Sequence, residues 1–212
     1  MRYATSFALF GAAAALGIVG LATADPPPFK LPHGQHDVRK ATAGIYTLDP
    51  QHTAVIARVS HLGFSMSAFR FGDVAATLEW DPKHIDRSKV SATVQTNSIT
   101  TTVVGFAEQL QGKEYLDSAE HPTATFVSTA FRAADYRHGK VDGKLTLMGR
   151  TVKASFDVVL IGAGPGFAAS PQMGHVIGIH AVTRVDPKAI GLPEVFQEPI
   201  EIAIDTEFTK KG

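Results

Sequence analysis

Nine histidines and twenty carboxylates are the groups with which this 212-residue chain could do acid–base or metal chemistry. Cysteine is absent, which removes thiolate nucleophiles, thiolate metal ligands and disulfides. His33 and His36 form H-x-x-H, a spacing that ligates metal from one turn of helix, but Pro26, Pro27, Pro28 and Pro32 surround it and no third ligand follows. Adventitious metal affinity is all this pair predicts. His61 is in phase with Val55, Ala57 and Val59, so strand alternation points it inward. There it would hydrogen-bond a ligand head group, act as a base, or be satisfied by backbone near a strand end. His52 belongs to a turn, where capping or packing accounts for it. His175 and His180 face opposite sides of one strand and cannot share a metal. His121-Pro122 reads as the start of a strand. H-E-x-x-H, G-x-S-x-G and the P-loop are missing, and Gly162, Gly164 and Gly166 form a glycine-proline turn without dinucleotide spacing. Spacing brings no acid, base and nucleophile together, so no catalytic residue, resident metal or cofactor is expected.

The elements that must position these side chains are strands. From Ile45 onward the dominant period is two. Val55, Ala57 and Val59 alternate with Ile56, Arg58 and Ser60; Val74, Ala76, Leu78 and Trp80 alternate with Ala75, Thr77 and Glu79; Val90, Ala92 and Val94 continue the pattern. Further strands read as Thr123 to Phe131, Lys140 to Met148, Thr151 to Leu160, His175 to Val185 and Pro199 to Phe208, with the Gly162 to Gly166 cluster as a turn. One segment breaks the period: Val103, Phe106, Ala107 and Leu110 follow helical spacing within Thr100 to Gln111, after threonines that can cap a helix. The fold class is therefore all-β, with one short helical insertion. About eight strands apolar on one side predict an antiparallel barrel, which removes its own edges by closing. A sandwich shows the same periodicity. An outer-membrane barrel exchanges the faces, and four Tyr and one Trp are too few for its aromatic girdles.

The length suits one domain, and 44% hydrophobic residues with 13 Phe can build its core. Basic and acidic residues balance at 20 each, so the chain lacks the cationic field that nucleic acid would need as a partner. Arg2, an apolar stretch from Phe7 to Ala22 and Ala22-Thr23-Ala24 predict a cleaved secretory signal peptide at residues 1–24, too short in its apolar run for a membrane anchor. After cleavage no integral membrane segment is expected. Residues 25–44 read as a Pro-rich exposed linker.

Several stretches together resemble one family. Asp49-Pro50-Gln51-His52-Thr53 followed by His61-Leu62-Gly63 is similar to the D-x-x-H-[ST] opening strand and downstream His-x-Gly of YceI-like polyisoprenoid-binding proteins. Ser98-Ile99-Thr100-Thr101 resembles the family's S-I-x-T. Tyr115-Leu116-Asp117 with His121-Pro122 and Phe126-Val127-Ser128 resembles F-L-D…P…F-x-S. Gly143-Lys144-Leu145-Thr146, with Gly149 and Thr151, resembles the G-x-L-T-x-x-G-x-T hairpin. The likeness spans residues 45–209.

This resemblance implies a periplasmic, lipocalin-like barrel that holds an isoprenoid or quinone-like lipid non-covalently. A carrier of that kind would be lined by Val55, Ala57, Val59, His61, Phe64, Leu78, Trp80, Phe126, Leu145, Leu147 and Phe156. The family's frequent R-D-x-H-L run reads Phe106-Ala107-Glu108-Gln109-Leu110 here, so Phe106 and Leu110 would offer apolar contact in place of head-group recognition. Two other functions fit the same strands: an enzyme acting on a lipid with His61 as base, or a protein-interaction module whose barrel is filled by side chains. A homodimer is one option for the assembly.

Overall fold

The computed structural model describes residues 31–166 and 174–210. The expected signal peptide and the first residues of the Pro-rich linker lie outside the described residues. Among the described residues there are ten strands: β1 (Gly44–His61), β2 (Ser65–Phe71), β3 (Val74–Trp80), β4 (Lys89–Gln95), β5 (Ile99–Thr100), β6 (Thr123–Ala133), β7 (His138–Leu147), β8 (Arg150–Pro165), β9 (His175–Val185) and β10 (Ile200–Lys210). A five-residue helix, α1 (Phe106–Leu110), follows β5. The sheet order is β10-β9-β8-β7-β6-β4-β3-β1, and β1 pairs back onto β10. Every pairing is antiparallel, so eight strands close into a barrel with no sandwich edge. β2 continues the line of β3 along the far half of β1, and β5 pairs with β2, extending one end of the wall.

Alternation explains which way the faces point. In β3, Val74, Ala76, Leu78 and Trp80 are buried while Ala75, Thr77 and Glu79 are exposed. The outer face carries ion pairs across neighbouring strands, including Arg132–Asp142 and Arg184–Glu201 at 2.7 Å and Lys140–Asp157. A charged exterior around an apolar interior is the reverse of a transmembrane barrel. Among the described residues no helix is long and apolar enough to cross a membrane.

The opening motif has a structural role. Between Asp49 and Thr53 the β1–β10 register shifts, and Pro50, Gln51 and His52 bulge from the ladder, which is how a proline is tolerated inside this strand. Asp49 holds the bulge: its carboxylate accepts from the Gln51 N–H (2.9 Å) and contacts His52 Nδ1 (2.8 Å). Thr53 Oγ1 donates to the Asp49 carbonyl (2.6 Å) and meets Thr206 Oγ1 of β10 at 2.7 Å in the buried interior. Burial alone would raise the Asp49 carboxyl, but its bonds with His52 and the Gln51 N–H outweigh this and hold it below the usual range. The same bond from Asp49, helped by the Glu207 charge, raises His52.

Three expectations are corrected and one strand is added. The lead-in is not free along its length: Gln35 exchanges backbone bonds with Ala163, Val38 N–H donates to the Tyr136 carbonyl (3.0 Å), Arg39 stacks on the Tyr136 ring, and Ala41 is buried. The expected turn at Gly162 to Gly166 is largely strand, since β8 runs on to Pro165 through a bulge at Leu160/Gly162. Gly162 lies so close to the Gly34 backbone that neither position has room for a Cβ. The helix is shorter than Thr100 to Gln111: Gly105, at φ +77°, caps it in place of a threonine, and Val104 is 99% exposed. Finally, β2 is a strand that the Ser-Met-Ser-Ala stretch conceals.

Two outcomes follow from the bulge. Thr53→Val removes the hydroxyl linking Asp49 to buried Thr206, so urea unfolding should show a loss of about 1–3 kcal/mol; an unchanged midpoint would show that closure does not depend on this contact. The Asp49 contribution is complete above its ordinary value of 3.8 and fades as pH falls through its lowered folded value. The His52 contribution is complete below 6.5 and fades as pH rises through its raised folded value. In an NMR titration His52 should titrate above 6.5, and in Asp49→Asn it should move back toward 6.5.

Candidate functional site

The inward side chains leave a lumen of two lobes that they do not fill. One lobe, of about 180 Å³, lies under Leu48, Leu78, Trp80, Leu160, Ile177 and Phe208. The other, of about 160 Å³, lies under Ala57, Val59, Phe69, Leu110, Leu145 and Ile202. Each exceeds the roughly 150 Å³ apolar cavity that stays dry and admits a benzene ring. Val55, Ala92, Val94, Phe126, Phe156 and Ile204 line both lobes and form a waist between them.

The two ends differ in chemistry. The first lobe is bordered at its end by the β6–β7 hairpin residues Arg132, Asp135, Arg137, His138 and Lys140, of which Arg132 and Lys140 turn their charged heads to Asp142 and Asp157 on the outer wall. Asp135 shapes that hairpin by accepting from the Arg137 N–H (2.6 Å), the His138 N–H (2.7 Å) and His138 Nδ1 (2.9 Å). Those bonds hold its carboxyl down at about 2. The second lobe has no charged residue in its lining and is covered by residues following α1 and by the β9–β10 connection. There Tyr115 meets Phe196 edge-on at 6.0 Å.

Of the side chains singled out from sequence, Val55, Ala57, Val59, Leu78, Trp80, Leu110, Phe126, Leu145, Leu147 and Phe156 line the lumen. His61 does not. It keeps the phase of Val55, but β10 stops pairing with β1 at Arg58, and beyond that point the β1–β2 hairpin projects past the barrel end into solvent. Phe64, 88% exposed, follows the Leu62-Gly63 turn of that hairpin, where both residues take positive φ. Phe106 packs outside the lobes against Phe69, with ring centroids 5.9 Å apart. Alternation reports a side chain's face, not whether the wall continues at its level.

Sequence reasoning missed Val38 and Ile85, which reach the first lobe from short 3-10 turns with no periodic signal. It also passed over Val74, Val94, Ile202 and Ile204 as lining residues, although their strand phase carried that information. Asp49, His52 and Glu207 bring donor atoms within 4.8 Å of one another on the outer wall. Their bonds stabilise the bulge already described.

The YceI-like domain family matches residues 46–208. UPF0312 proteins of Pseudomonas putida are 28% identical over 81% of this chain and 90% of theirs. A UPF0312 protein of Pseudomonas aeruginosa is 31% identical over 72% of this chain and 78% of its own. Among solved structures, Burkholderia cenocepacia BcnA superposes with a TM-score of 0.66 at 22% identity, covering 76% of this chain and 98% of that one. A polyisoprenoid binding domain from Saccharophagus degradans, implicated in plant cell wall breakdown, gives 0.55 at 11% identity, covering 77% and 97%. The matched span takes in the barrel from Tyr46 on β1 to Phe208 on β10, and by that match the chain belongs to the YceI-like family.

Proposed function

We propose that this protein binds an isoprenoid lipid or a related long-chain amphiphile, quinone-like molecules included, in the lumen of its barrel. On this reading it carries or buffers the lipid in the periplasm without changing it covalently, after loss of residues 1–24. The observation that carries the proposal is the lumen itself: two apolar lobes that share a waist, with charged residues bordering only one end. An apolar tail gains from leaving water along both lobes, and a polar head is tolerated only beside the β6–β7 hairpin. Membership of the YceI-like family and the fold shared with the Saccharophagus polyisoprenoid binding domain support the ligand class. The exposed position of His61 favours a binding role over catalysis with that residue as base. Lobes that side chains leave open favour a ligand over a filled barrel serving as an interaction module.

Fluorescence titration with all-trans-retinol, a polyene isoprenoid, tests the reading. Ala57→Phe fills part of the second lobe and displaces two or three methylenes at roughly 0.8 kcal/mol each, so binding should weaken about tenfold to fiftyfold. His61→Gln should leave affinity nearly unchanged, and retinol recovered by organic extraction should have its original mass. Unaltered binding by Ala57→Phe, or chemical conversion that disappears in His61→Gln, would contradict the proposal.

A further inference from the structure

We infer that the Phe126–Phe156 pair, seated on Gly143, gates the passage between the two lobes and sets the length of chain the barrel accepts. This inference rests on the lumen being a lipid site. Phe126 on β6 and Phe156 on β8 meet edge to face across β7, with ring centroids 5.0 Å apart and planes at 77°. Both rings line both lobes, so they stand where the lobes meet.

Register explains why the rings can lie there. Gly143 on β7 pairs with Ser128 on β6 and with Ala154 on β8. Phe126 is two residues from Ser128 and Phe156 two residues from Ala154, so the rings flank Gly143 diagonally on neighbouring strands. A Cβ at position 143 would overlap both the Phe126 ring and the Val127 carbonyl oxygen of β6. Gly143 therefore provides the recess in the wall that the Phe126 ring occupies. Without that recess the ring's remaining free direction is inward, since the β-ladder closes off the outside. A ligand short enough for one lobe touches one side of the pair and does not have to pass it. One that spans both must pass it, so its affinity depends on how flat the Phe126 ring lies.

β-Ionone and all-trans-retinol share a ring and differ in tail length, and both can be followed by quenching of Trp80, the one tryptophan, which lines the first lobe. Gly143→Ala should weaken retinol binding by about tenfold or more while changing β-ionone by less than about threefold. Phe126→Ala should shift the affinity ratio the other way, in favour of retinol. In Gly143→Ala/Phe126→Ala the ring is gone while the crowding of the Val127 carbonyl stays, so the retinol to β-ionone affinity ratio, which local crowding of the wall alone would not move, should return toward the Phe126→Ala value. Circular dichroism checks each fold; if Gly143→Ala does not fold, the ratio in Phe126→Ala decides alone. Equal losses for both probes in Gly143→Ala, a double variant whose retinol to β-ionone ratio stays at the Gly143→Ala value, or an unshifted ratio in Phe126→Ala would overturn the gate. A wild-type protein that binds neither probe would instead remove the lipid reading beneath it.

Discussion

β1 spans eighteen residues because it has to satisfy three partners: β3 at its start, β2 at its end and β10 along most of its length. Two flat ladders cannot be met at once by a straight strand that also curves around a barrel. The bulge at Pro50 to His52 supplies the bend, and Asp49, His52, Thr53 and Thr206 hold it with four short contacts. If this seam opened, β10 and β1 would become free edges and the lumen would lose its closed wall. The opening motif is thus best understood as the device that closes the sheet.

Closure also explains how a wall can surround volume that it does not fill. At roughly 24 cal/mol per Å³, each lobe represents about 4 kcal/mol of packing that an ordinary core would have gained, a large share of a domain's typical stability. A helical core would relax into such space. Here every wall strand is tied on both sides by backbone hydrogen bonds, so the lobes persist. The same stiffness gives a waist residue leverage over what passes, because Phe126 and Phe156 are supported from behind by continuous ladder.

Much of this was legible from the residues alone. Period two located eight of the ten strands to within a few positions, β2 and the two-residue β5 being the exceptions, and the one-sided apolar face of β3 named the interior. Closure came from the wish to avoid edges rather than from any pairing signal. The misreadings share a cause: phase is local, whereas the level at which a wall ends is set by partners far away in sequence. His61 continues a perfectly regular pattern beyond the last residue that β10 covers, and Phe64 follows the turn that ends it. Gly162 looked like a turn because its real partner, the Gly34 backbone, is more than a hundred residues away. The lining by Val38 had no periodicity to read. Gly143 was visible as part of a motif, but its purpose emerges only when β6, β7 and β8 are set side by side.

The central claim is that an apolar chain occupies the lumen. Native mass spectrometry of the protein purified from its own source, followed by organic extraction and mass analysis of what is released, tests it most directly. The account predicts a stoichiometric adduct whose extracted mass is that of an isoprenoid or similar long-chain amphiphile, reduced in Ala57→Phe. Protein that carries no lipid adduct as isolated, and acquires none when incubated with isoprenoid alcohols or quinones, would contradict it.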